Sequence, residues 1–205
     1  MMLRIYKDDY GFHFISKLFN TNINIGIYKT FKTTWTMGIR NNVPSSGKMV
    51  LFLDYDAHLL EFVTKEIKYL QHKYHLSSFY IFKSSQKPYG WHAICIDELT
   101  YKEHIRIINE TSCDEYYRSM PIKTDYHSWV IRTLRKGGSQ APKIIKIITS
   151  SYNERKKSLA HYLYLKHQHR IKIKPKNLDK NKKLYLIEYG TMNYINAEDI
   201  PKIKE

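Results

Sequence analysis

Five consecutive apolar residues, Met49-Val50-Leu51-Phe52-Leu53, run directly into Asp54-Tyr55-Asp56. An apolar run of this length, preceded by a loop at Asn41 to Lys48 that holds Pro44, Ser45, Ser46 and Gly47, reads as a buried strand. Two carboxylates two residues apart on a strand project to the same side of the sheet, because strand side chains alternate faces. Like charges at the end of a buried strand repel each other and are costly to desolvate. A divalent cation is the simplest partner that makes the arrangement favourable. The competing role for the pair is to cap the helix that follows, since Asp is a favoured N-cap.

Around this strand the periodicities predict further elements. Residues 2–40 are mixed, with a strand over 33–40. A helix follows from 57 to 74, with Leu59, Leu60, Val63, Ile67 and Leu70 at helical spacing. Strands are predicted over 77–83 and 91–96, joined by the turn Ser84 to Gly90, and a second helix over 101–109. A helical turn fits 114–120. Strands are expected over 126–134, 143–149 and 184–189, and a helix over 152–166. Strand, helix, hairpin, helix, strand is the order of an α+β fold: an antiparallel sheet with helices packed on one face, as in RNA-recognition-type domains. The expected domain is 1–165, with 166–205 as a basic C-terminal extension carrying a last strand.

Composition narrows the chemistry. The chain has 205 residues, enough for one sizeable core, and 42% of them are hydrophobic, which excludes a disordered polypeptide. A formal charge of +15, from 34 Lys and Arg against 19 Asp and Glu, favours a polyanionic partner such as nucleic acid. Eighteen tyrosines supply rings for strand packing or base stacking. Cys95 and Cys113 form no CxxC, so neither a zinc ribbon nor a disulfide framework is expected, and an intracellular, cytoplasmic location is. No apolar stretch approaches the ~18 residues of a membrane span. The Lys-, Ile- and Asn-rich composition points to an AT-rich genome, of a plasmid, virus or archaeon.

Acidic and imidazole residues recur where strands begin or end: Asp54 and Asp56, then His92, then Asp114 after the second predicted helix. Nucleotidyl transfer uses two or three carboxylates to hold the metal that binds a triphosphate and lowers the charge on an attacking oxygen. Lys83, Ser84, Ser85 and Lys87 lie on one turn and are placed to cradle a triphosphate. His92 is a hydrogen-bond donor for a phosphate oxygen. Arg132 and Lys136 are candidates to hold phosphate or template backbone.

Three of these segments, in order, resemble the motifs of the archaeo-eukaryotic primases, including the primase-polymerase group. They are Leu51-Phe52-Leu53-Asp54-Tyr55-Asp56, Gly90-Trp91-His92 and Cys113-Asp114, followed by the strand Trp129 to Leu134 with Arg132. The resemblance covers about residues 48–138. It implies an RNA-recognition-like catalytic core, Mg²⁺ or Mn²⁺ on Asp54, Asp56 and Asp114, and His92 on the incoming nucleotide. It implies a single-stranded DNA template, nucleoside triphosphates and a helicase or other replication protein on a separate chain. Gly90 stands where the family has Ser, and Glu115 or Asp125 could replace Asp114. A rolling-circle endonuclease shares the general fold and uses a Tyr-x-x-x-Lys helix, which Tyr162 to Lys166 fits. It also needs a His-hydrophobe-His metal motif, which His92-Ala93-Ile94 and His167-Gln168-His169 do not supply. A third reading is a non-catalytic nucleic-acid-binding protein on the same scaffold.

Overall fold

A computed structural model describes residues 2–7, 11–18, 21–28, 38–84, 89–123, 127–133, 141–171, 174–188 and 191–199. Contacts divide the chain into two compact units, Met1–Thr34 and Trp35–Glu205. The first holds an antiparallel meander of β1 (Met2–Lys7), β2 (Gly11–Leu18) and β3 (Thr21–Tyr28), with Phe14 opposite both Ile5 and Ile25.

The second unit is α+β. In chain order it contains β4 (Gly38–Arg40), β5 (Asn42–Val43), β6 (Lys48–Tyr55), α1 (Leu60–Tyr74), β7 (Phe79–Lys83), β8 (Trp91–Leu99), α2 (Tyr101–Asn109) and α3 (Glu115–Lys123). It continues with β9 (Val130–Arg132), β10 (Lys143–Ile148), α4 (Leu159–His169), β11 (Lys183–Glu188) and β12 (Thr191–Asn196). One sheet has the order β10-β7-β8-β6-β5 and the other β12-β11-β4-β9, and every recorded strand pairing is antiparallel. Because β6 and β7 both run against β8, they are parallel to each other with β8 inserted between them. That is a split β-α-β unit around α1. Among the described residues no helix is long and apolar enough to cross a membrane.

Met49 to Leu53 are all buried, and β6 has cover on both faces. Tyr55 reaches Glu66 of α1 on one side (2.7 Å), while Phe52, on the other, meets the ring of His161 in α4 (5.8 Å between centroids). The helices therefore do not share one face, as the pattern had implied; an apolar strand needs cover on both.

Several boundaries differ from the periodicity. α1 begins at Leu60 rather than 57 because Ala57 takes a left-handed conformation (φ 67) that breaks the chain after Asp56. β8 continues past Ile96 to Leu99, burying Asp97 and Glu98. Asp97 is compensated there: Ser77 donates its N–H (2.7 Å) and its hydroxyl (2.6 Å) to it, and the Lys157 ammonium lies 3.7 Å away. Among the described residues Glu98 has only the Lys156 ammonium, at 3.8 Å. α4 begins at Leu159 rather than 152. Lys157 is instead bridged to Asp97 on one side and Leu178 on the other, and Ser158 becomes the N-cap. Of the expected strand 126–134, Val130–Arg132 is strand and residues 126 and 134 lie outside the described residues; of that over 33–40, Gly38–Arg40 is strand and residues 33–37 lie outside them. Gly38 is required there: a Cβ would meet Val130 Cγ1 at 2.6 Å and the Ile131 carbonyl at 3.0 Å.

Candidate active site

The register of the central sheet puts Asp54 of β6 directly opposite His92 of β8, which is opposite Phe82 of β7. The His92 Nε2 lies 3.5 Å from Asp54 Oδ1. Asp114, between α2 and α3, is stitched to the same place: its N–H donates to the Asp54 carbonyl (2.9 Å). Arg132 comes from β9 of the second sheet and donates to the carbonyl of Ser84. Asp56 sits just beyond the end of β6. Five of the residues singled out in the sequence thus gather at one end of the sheet.

Their electrostatics interlock. Burial, then the charges of Asp56 and Asp114, push the Asp54 carboxyl up to about 7, against the opposing pull of Arg132. His92 is pushed down to about 3 by burial and then by Arg132. Its imidazole is neutral near pH 7, so the close approach to Asp54 is not an ion pair. The His92 Nδ1 is buried without a hydrogen-bond partner. Tyr117, on the first turn of α3, also has a buried, unpartnered hydroxyl, and burial followed by Asp54 and Cys113 pushes its pKa well above the usual tyrosine range.

Groups outside the sequence motifs hold this end in place. Glu66 in α1 accepts from Tyr55 and from the N–H (3.0 Å) and hydroxyl (2.7 Å) of Ser112, tying the end of β6 to the segment leading into Asp114. Trp91 Nε1 donates to the His58 carbonyl (2.7 Å), and His58 Nε2 lies 3.0 Å from the Ser112 carbonyl. Sequence reasoning missed Glu66 and Tyr117. For Glu66 a faint signal exists: it sits beside Val63, Ile67 and Leu70 on the buried side of an amphipathic helix.

Other predicted residues are placed differently. Asp114 Oδ1 accepts from the Tyr117 N–H (2.7 Å), so this carboxylate caps α3. Glu115 is exposed in the first turn of α3. Lys83 is opposite Trp91, which is opposite Tyr55, one residue out of phase with the Asp54–His92 row. Its side chain therefore projects to the other face of the sheet. There the ammonium sits 4.0 Å from the Trp91 ring centroid. Ser84 is buried, and its N–H donates to the Gly90 carbonyl (3.1 Å), closing the turn. Ser85, Lys87, Asp125 and Lys136 lie outside the described residues. Tyr162 is only 4% exposed, within the core, and His169 packs on Phe82 (4.6 Å between centroids).

Among the described residues no group of three or more His, Cys, Asp or Glu side chains is arranged to hold a metal ion. Mg²⁺ does not require one, since it keeps several waters and binds through one or two carboxylates plus substrate phosphates. Asp54 and Asp56 provide that number, and the strain on Asp54 is what a second positive charge would relieve. Comparison with protein-family models, with curated proteins and with solved structures finds no match to this chain.

Proposed function

We propose that the second unit is a primase-polymerase-type catalytic core that uses Mg²⁺ or Mn²⁺ to join nucleoside triphosphates on a single-stranded DNA template. One observation carries the reading: Asp54 is crowded by Asp56 and Asp114 at the end of a buried strand, with a neutral imidazole beside it whose Nδ1 has no hydrogen-bond partner, and with the charge of Arg132 acting on it. The split β-α-β order with β8 between β6 and β7 is the order expected of an RNA-recognition-type core.

In this reading Asp54 and Asp56 hold the cation and Asp114 adds negative charge while it caps α3. A cation held by Asp54 and Asp56 would stabilise the negative charge of the attacking 3′ oxygen and help hold the triphosphate. His92 donates to a phosphate oxygen; being neutral, it keeps one N–H for this without repelling the cation. Arg132 places a guanidinium against phosphate, while its bond to the Ser84 carbonyl ties β9 to the end of β7. Glu66 and Ser112 keep Asp114 at the end of β6.

The test is primer extension with purified protein, a single-stranded template, labelled nucleotides and either cation. Template-directed product is expected, falling at least a hundredfold in Asp54→Ala and Asp56→Ala. Product that survives both substitutions overturns the site. The capping role of Asp114 favours one second reading, a nucleic-acid-binding module without metal chemistry. That module would bind template and yield no product with either cation. The 4% exposure of Tyr162 does not favour a rolling-circle nuclease, whose tyrosine has to reach a DNA phosphate.

A further inference from the structure

The opposite end of the central sheet carries a cationic feature. A cleft of about 250 Å³ opens where β7 begins and β10 ends, bordered by Ser78, Thr149, Ser150, Lys157, Lys174 and Lys176. It also touches Ile96 of β8, four residues along the strand from His92. At roughly 3.4 Å per residue, that is about 14 Å from the Asp54–His92 row.

Its polar groups are poised to donate. Ser78 Oγ accepts from the Ser150 N–H (3.3 Å) and Ser150 Oγ accepts from the Tyr152 N–H (3.1 Å). Each hydroxyl therefore has its own proton free to give. Lys174 and Lys176 are exposed, and neither meets a carboxylate among the described residues. The Lys157 ammonium at the border is already neutralised by Asp97 and bonded to the carbonyls of Asn153 (3.2 Å) and Arg155 (2.9 Å). The segment bearing Lys174 and Lys176 is anchored at its far end, because Lys157 N–H donates to the Asn177 carbonyl (2.8 Å) and Asp179 N–H to the Lys157 carbonyl (2.8 Å). Two unpaired ammoniums and two donor hydroxyls around one cleft suit a phosphate group.

We infer that this cleft binds phosphate, and that the phosphate belongs to the backbone of a single-stranded nucleic acid held away from the carboxylates. The lysine-rich stretch after α4 is then a placed contact, not a diffuse charge.

The test is anisotropy of a fluorescent single-stranded oligonucleotide titrated in EDTA without nucleotide, across a salt series. These conditions make it independent of any metal chemistry at Asp54. Two lost phosphate contacts should lower the slope of log K against log salt by about 1.4 in Lys174→Gln/Lys176→Gln, with affinity down about tenfold at low salt. A matched control, Lys166→Gln/Lys180→Gln, removes the same charge from exposed positions outside the cleft and should change the slope by less than half as much. An unchanged slope in the cleft variant, or an equal change in the control, overturns the inference. In a parallel arm, inorganic phosphate is tested for protection against thermal unfolding. Protection lost in the cleft variant, with oligonucleotide binding unaffected, would overturn the backbone assignment in favour of a free phosphate ligand.

Discussion

Asp54 holds its proton more tightly in the folded protein than an exposed aspartate does, and the sign of that shift has a measurable result. A group whose folded value (about 7) exceeds its unfolded value contributes stability that is complete below about pH 4 and is lost as pH rises through 7. At pH 8 the ionised Asp54 is a burden on the fold of the order of a few kcal/mol. Asp54→Asn is therefore expected to raise the melting temperature at pH 8 and to change it little at pH 4.5. Mn²⁺ should raise the melting temperature of the unaltered protein at pH 8 and leave the Asn variant unmoved. Scanning calorimetry at the two pH values, with and without the cation, reads both effects. The pair Asp54 and Asp56 was legible in sequence because an apolar run ending in two carboxylates is a conflict visible in one dimension. Tyr117 was not, because nothing local marks a tyrosine whose hydroxyl ends up buried beside a carboxylate from another element.

Among elements, the joint between β8 and the start of α4 rests on a fully buried ion pair, Asp97 and Lys157, each at most 1% exposed. Removing one partner leaves a buried charge alone, which costs about 3–5 kcal/mol, whereas replacing both with apolar or neutral groups is often close to neutral. Lys157→Met should lower the urea midpoint sharply, and Asp97→Asn/Lys157→Met should recover most of the loss. A double variant no more stable than Lys157→Met would mean that the bridged backbone, not the charge pair, secures the joint. This joint also explains where sequence reading stopped short. Two adjacent carboxylates, Asp97 and Glu98, look like the end of a strand, and 152–158 looks helical beside α4. Only the long-range meeting of the two segments extends one and truncates the other. α1, by contrast, was legible from Val63, Ile67 and Leu70 alone, because its buried stripe is a local pattern. The meander of residues 2–28 left a local trace in Thr21–Tyr28, which alternates polar and apolar residues through most of its length.

At the scale of the whole molecule, buried histidines govern the response to acid. His92 and His104 are pushed down to about 3 and His161 to about 4, in each case chiefly by burial. Folded values below the unfolded one contribute stability that is complete above about pH 6.5 and is lost as pH falls toward 4 and below. His169 is likewise pushed down to about 4 by burial, so Asp54 acts in the opposite direction but is one group against four histidines among the described residues. Net stability is expected to fall between pH 6.5 and pH 4, measured as a declining urea midpoint at constant ionic strength. A midpoint that rises over that interval would mean that the carboxyl dominates.

The bridge from Asp97 through Lys157 to Leu178 also bears on how the chain is made. A polypeptide leaving the ribosome completes β8 well before Lys157 has been synthesised, so the sheet first exists with Asp97 awaiting its counter-ion. Any fragment ending before Lys157 keeps an uncompensated carboxylate at the heart of its sheet. The lower bound on a self-sufficient folding unit is therefore set by a lysine far from the candidate site, not by the last residue of that site.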